Sequence, residues 1–130
     1  MTLLSDLVGG LLAWLARRSP QTRARLGRGL GRIAWLTVRR RRRVALRNLE
    51  LCFAERTPGA RREMAREHFV ALAQSVIDRS VLWYGSEQQI RELVQLDGFE
   101  HVQQAMQRGP VVLLAPHFIG LDAGASRMSL

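Results

Sequence analysis

Two residues in the segment VVLLAPHFIGLD, numbers 111 to 122, could handle a proton together: His117 and, five positions on, Asp122. Imidazole is the side chain whose charge changes near neutral pH. A carboxylate that accepts from one ring nitrogen fixes the tautomer and leaves the other nitrogen as a base. Such a base can take the proton of a hydroxyl as its oxygen attacks a thioester, while the carboxylate steadies the imidazolium that forms. No Ser or Cys stands nearby as a covalent nucleophile, so the pair suits direct attack by an activated acceptor better than an acyl-enzyme route. The spacing alone is a weak signal. An acid falls five residues after a His by chance about one time in ten on average composition. A histidine that caps a helix or sits in a core reads equally well from these residues. His68 and His101 lie on expected helices without such a context and read as structural. There is no H-x-x-x-H, no C-x-x-C and no carboxylate cluster, so neither a metal nor another cofactor is expected.

The elements around the pair would have to lift it to an accessible edge. PVVLLA reads as a strand apolar on both faces, as in the middle of a parallel sheet. VQLDG reads as a short strand and turn, FEHVQQAMQRG as an amphipathic helix ended by Gly109, and LDAGASRMSL as the start of another helix. In such an order His117 stands at the carboxyl end of a strand, where open α/β sheets bind ligands. Before Val94 the chain reads as helices only. Ser19-Pro20 and Thr57-Pro58 are N-cap and N1 pairs, and Ser86 with Gln89 has capping-box spacing. A long helix is expected over residues 59–84, with Met64, Phe69, Leu72, Ala73, Val76, Ile77 and Leu82-Trp83 as its stripe. RRRRRVALRNLELCF is expected to bury an apolar face, and its Cys52 to be a buried structural thiol. Gly27, Gly29 and Gly31 weaken a helix but permit close packing.

Charge is uneven along the chain. The net charge of +9 comes entirely from Arg, without Lys. Residues 1–66 carry 16 Arg against 4 acids, and residues 67–130 carry 4 Arg against 7 acids. A codon bias towards Arg explains the residue type but not its clustering, so the first half has a surface partner that the second does not share. MTLLSDLVGGLLAWLARR, with Asp6 and Gly9-Gly10 inside it, is shorter than the about 20 apolar residues of a spanning helix. It suits a helix that lies in a membrane interface or just enters it, with Arg17 and Arg18 among headgroups, or an ordinary core helix. A nucleic-acid partner is disfavoured, since no helix-turn-helix, zinc or RNP pattern accompanies the charge.

Beyond these readings the chain resembles a known family. HFIGLD is similar to the H-x4-D/E motif of glycerolipid and lipid A acyltransferases. RRVALRNLELCF resembles the segment that precedes the catalytic domain of the late lipid A acyltransferases, the lauroyl and myristoyl transferases. HFVALAQSVID and LDGFEHVQQAMQRGPVVLLAPHF follow in that family's order. The resemblance implies an α/β fold: an N-terminal helical membrane-associated segment, then the first β-α-β-α of an incomplete acyltransferase-like domain. It implies an anchor or interface helix at 1–18, a basic helical region at 19–93 and the start of a catalytic domain at 94–130. It also implies a location at the cytoplasmic face of the bacterial inner membrane, acyl carrier protein as donor and a lipid A precursor as acceptor. His117 becomes the catalytic base and Asp122 its partner.

Arg39, Arg40, Arg41, Arg42 and Arg43 are the leading candidates to meet anionic headgroups, acceptor phosphates or the acidic carrier protein, against a plain solvated helix start. Family members run to about twice this length, so the chain is expected to be a fragment, inactive alone and prone to aggregate or cling to membranes. A lysophospholipid or ornithine-lipid acyltransferase and an inactive membrane-associated remnant are the alternatives.

Overall fold

In a computed structural model, which describes residues 3–130, seven helices follow one another: α1 Leu3–Ala16, α2 Pro20–Thr37, α3 Arg39–Cys52, α4 Pro58–Tyr84, α5 Glu87–Leu93, α6 Phe99–Arg108 and α7 Leu121–Met128. Three starts are set by hydroxyls, as the sequence predicts. Ser19 Oγ accepts from the Thr22 amide at 3.2 Å, and Thr57 Oγ1 accepts from the Ala60 amide at 3.2 Å. Ser86 and Gln89 form the full capping box: Ser86 Oγ accepts from the Gln89 amide at 3.3 Å, and Gln89 Oε1 accepts from the Ser86 amide at 2.9 Å. Each bond satisfies an amide that the helix itself leaves without a partner.

The core is built on α2 against α4. Gly27 and Gly31 share one face of α2 and let the two backbones approach. A Cβ at Gly31 would lie 2.5 Å from Val70 Cα and 2.9 Å from the Phe69 carbonyl oxygen, whereas a Cβ at Gly29 would meet open space. Ala65, Phe69, Ile77 and Val81 of α4 are buried, joined by Leu15 and Ala16 of α1 and Ile90 of α5. The Phe69 ring packs edge-on to Trp35, centroids 5.6 Å apart. Such an arrangement adds attraction beyond the area it buries.

One buried cation organises the junction of α1, α2 and α5. Arg23 reaches back from α2, where its Nη1 donates to the Arg18 carbonyl at 2.6 Å and to the Ala16 carbonyl at 3.5 Å. Gln89, already part of the α5 cap, donates its Nε2 to the same Ala16 oxygen at 3.1 Å. The carbonyl end of α1, where cations are favoured, is thus closed by two side chains from elsewhere in the chain.

Nearby, the half-buried Asp78 accepts from Gln74 Nε2 at 2.8 Å. Burial raises its pKa above the ordinary carboxylate value, and the Gln74 hydrogen bond and the charge of Arg23 oppose that only in part. A carboxyl whose pKa is raised by folding costs stability while it is ionised, and the cost fades as pH falls through the folded pKa. Asp78→Asn keeps an acceptor for Gln74. It is therefore expected to be neutral or stabilising at pH 7, by less than about 1 kcal/mol, with the difference shrinking on acidification. Urea unfolding of both proteins at pH 7 and pH 4 checks this. A clear loss of stability at pH 7 would mean that the attraction of Arg23 outweighs burial.

The α/β expectation is overturned: among the described residues there is no strand, and the architecture is all helical. VQLDG leaves α5 as irregular chain. The expected central strand PVVLLA, residues 110–115, runs without secondary structure, with Val112 95% and Leu114 98% exposed. The reason is that a strand's hydrogen bonds lie in its neighbour. Among the described residues no other strand exists to pair with the segment. Two smaller expectations also change. Arg39–Cys52 is a helix, but none of its residues is buried, because it packs on α4 and α2 along one edge only. Cys52, at its last turn, is exposed rather than buried. The segment expected to lie in or on a membrane is α1, and no described helix is long and apolar enough to cross one.

Candidate active site and basic surface

The H-x4-D segment is shaped by one glycine. Gly120 has φ of 91°, in the left-handed region that favours glycine, and it turns the chain from the extended run into α7. The turn is closed by the Leu121 amide donating to the Phe118 carbonyl at 3.3 Å and the Gly124 amide donating to Gly120 at 3.0 Å. Asp122 therefore falls in the first turn of α7, where the free amides of the helix start favour a negative charge.

Its partner comes from far away in sequence. Asp122 Oδ2 accepts from Arg79 Nε at 2.6 Å, a bond that links α7 to the carboxyl-terminal part of α4 across 43 residues. The Arg79 hydrogen bond is the main reason that the Asp122 carboxyl lies below its ordinary pKa. A small burial effect opposes it, and the Arg79 charge and the Asp122 and Ala123 amides reinforce it. Beside Asp122 a hollow of about 280 Å³ opens between α4, α5 and α7, walled by Ser75, Asp78, Leu82 and Leu93. His117 is exposed on the preceding segment, and among the described residues it has no hydrogen bond or ion pair. The two candidate residues thus lie either side of the Gly120 turn, with the carboxylate engaged by Arg79 rather than by imidazole.

A depressed carboxylate contributes stability that is present above its unfolded pKa and lost as pH falls through the lower folded value. Arg79→Gln is therefore expected to move the Asp122 titration upward toward the ordinary carboxylate range. Both side chains are more than two-fifths exposed, so screening holds the stability loss at neutral pH to about 0.5 kcal/mol or less. Carbon-13 titration of the Asp122 carboxyl reads the shift directly. An unchanged midpoint would show that the α7 amides, not Arg79, hold the charge.

The basic run forms the first turn and a half of α3. Arg39, Arg40, Arg41 and Arg43 are exposed, and none of the run is in an ion pair among the described residues. Arg42 turns inward, donating Nη1 to the Trp35 carbonyl at 2.8 Å with its guanidinium 5.3 Å from the Trp35 ring. Cations in the first turn of a helix oppose its dipole, at a cost of about 0.3–1 kcal/mol each at low salt. Val38, the N-cap, supplies no side-chain bond to offset it.

Sequence reasoning missed Arg79 because a separation of 43 residues carries no local signal. It also missed Arg23, which reads as one more polar position on α2 although it is buried. His68, exposed on α4, lies edge-on to Phe69 at 6.2 Å, and His101 is exposed on α6.

With this geometry in place, comparison with known proteins is decisive on one point. The family model for bacterial lipid A biosynthesis acyltransferases matches residues 3–130. The chain belongs to that family. Among its acyltransferase relatives, the lipid A biosynthesis lauroyltransferase of Escherichia coli K12 is 33% identical over 108 residues, covering 82% of this chain and 35% of the relative. The lipid A biosynthesis myristoyltransferase of the same organism is 31% identical over 123 residues, covering 91% of this chain and 37% of the relative. A lipid A biosynthesis acyltransferase of Shigella flexneri is 29% identical over 106 residues, covering 81% of this chain and 35% of the relative. No solved structure matches. The chain thus spans about a third of the length of the lipid A acyltransferases it matches, less than the half expected from the sequence.

Proposed function

We propose that the protein is the motif-bearing part of an acyltransferase. That enzyme moves a fatty acyl group from acyl carrier protein to a hydroxyl of a lipid A precursor at the cytoplasmic face of the bacterial inner membrane. The observation that carries this reading is the family match over residues 3–130, which includes the H-x4-D residues. In this reading His117 is the base that takes the acceptor's hydroxyl proton, and Asp122 orients the imidazole. Engagement with Arg79 does not exhaust Asp122: Oδ2 is taken, and a carboxylate has about four acceptor positions in all.

Residues 1–18 serve as the membrane-interface segment, 19–93 as the basic helical region, and 94–130 as the part that carries the motif. Two features support the membrane assignment. Leu3, Leu4, Leu7, Val8, Leu11 and Trp14 of α1 are exposed apolar side chains, with Arg17 and Arg18 immediately after the helix. The Arg39–Arg43 run crowds positive charge onto the start of α3, a repulsion that anionic headgroups relieve. Because the chain spans a third of its relatives, the test is a graft. Residues 3–130 replace the matching region of the E. coli lauroyltransferase, and lauroyl transfer from acyl carrier protein to a lipid A precursor is measured. The graft is expected to transfer and the 130-residue chain alone is not. A folded graft without transfer would count against the reading.

A further inference from the structure

We propose that the groove between α2 and α4 binds a phosphate-bearing lipid drawn from the bilayer, with Arg28 and Arg32 on the phosphate and the chain laid along α4 towards Asp122. The inference rests on the acyltransferase reading and specifies where its amphiphilic substrate class is held.

The groove has a volume of about 840 Å³, and its apolar lining includes Trp35, Leu36, Val70 and Ala71. Arg28 and Arg32 stand one helical turn apart along its α2 edge, both exposed, and neither is in an ion pair among the described residues. Residues four apart on a helix face the same way, so the two guanidinium groups can close on one phosphate. On the α4 edge Glu63 is paired with Arg66 at 3.1 Å, and Arg66 lies 5.7 Å from the Trp35 ring. Glu67 is the one remaining carboxylate, so the groove's net charge is positive.

A free anion would have no use for the apolar lining, and a neutral lipid none for the paired cations. The combination fits an anionic lipid. The direction follows from a shared wall: Ala71 and Gln74 line both this groove and the hollow beside Asp122. One side of α4 thus runs from the Arg28–Arg32 edge to the motif carboxylate. The five arginines of α3 lie off this path; Arg41 lines a separate hollow between α2, α3 and α4.

The indole N–H resonance of Trp35, assigned with Trp35→Phe, reports the groove lining in the 130-residue chain. The probes are short-chain phosphatidic acid below its micelle concentration, the matching phosphatidylcholine, and inorganic phosphate. A saturable Trp35 shift is expected with phosphatidic acid alone. Arg28→Gln with Arg32→Gln should weaken it at least tenfold, whereas Arg56→Gln with Arg62→Gln, an equal loss of charge elsewhere, should leave it within twofold. Circular dichroism confirms that each variant is folded. The proposal is overturned if both double variants weaken binding equally, if inorganic phosphate gives the same shift, if phosphatidylcholine binds as well, or if Trp35 does not respond. Any of these leaves the graft experiment free to succeed. Failure of the graft with Trp35 still responding would instead remove the acyltransferase reading and leave the lipid site.

Discussion

Gly31→Ala is expected to loosen or unfold the helical core, at a cost of about 2–3 kcal/mol, although alanine is the better helix former. The added methyl has nowhere to go. Its closest neighbours are backbone atoms, Val70 Cα at 2.5 Å and the Phe69 carbonyl oxygen at 2.9 Å, so relief requires α2 and α4 to separate. Separation in turn uncovers Phe69 and breaks its edge contact with Trp35. Gly29→Ala supplies the internal control. It lies on the same helix, two residues away, with open space around its Cβ, and is expected to stabilise the protein by about 0.5–1 kcal/mol through helix propensity. Urea unfolding of both variants gives the comparison. Equal and small effects would mean that the helices are not in backbone contact in solution.

The second large effect concerns chemistry. In the graft, His117→Ala is expected to lower the turnover of acyl transfer by about 10²–10⁴, which corresponds to about 3–5 kcal/mol of barrier. The loss should fall on kcat with little change in KM, because the proton is taken only in the transition state. His117 is exposed and unbonded among the described residues, so its removal should leave the melting temperature unchanged. Added imidazole should restore part of the rate to the His117→Ala graft. A loss of less than tenfold, or no rescue alongside a lowered melting temperature, would take the base role away from His117.

What could be read in advance divides along physical lines. Ser19, Thr57 and Ser86 were legible as helix starts because a cap is a local transaction between a hydroxyl and an amide three residues on. The long helix ending at Tyr84 was legible at its start, from Thr57-Pro58, but not along its expected stripe, of which Leu72, Val76 and Trp83 are exposed. The strands were not, because Val111–Leu114 has the composition of a central strand and composition names only half of the pairing. Cys52 has apolar neighbours in sequence, but α3 packs along one edge and leaves it outside. At the candidate site, His117 and Asp122 could be picked out by residue type. The bond from Arg79 could not, since it depends on how α7 settles on α4.

The double closure of the Ala16 carbonyl by Arg23 and Gln89 has a mechanical meaning. It makes α1 a cantilever: clamped at its carboxyl end, close to α4 at Gly9, where an added Cβ would come 3.2 Å from the Tyr84 hydroxyl, and with Leu3, Leu4 and Leu7 exposed towards its start. A 14-residue helix is about 21 Å long, so a few degrees of play at the clamp moves the leucine-rich tip by an ångström or more. In the membrane reading proposed above, the stiffness of the Arg23–Gln89 clamp would set how steeply the tip meets the bilayer surface. A slackened clamp would let the rest of the molecule ride higher or lower above that surface without any change in the tip itself.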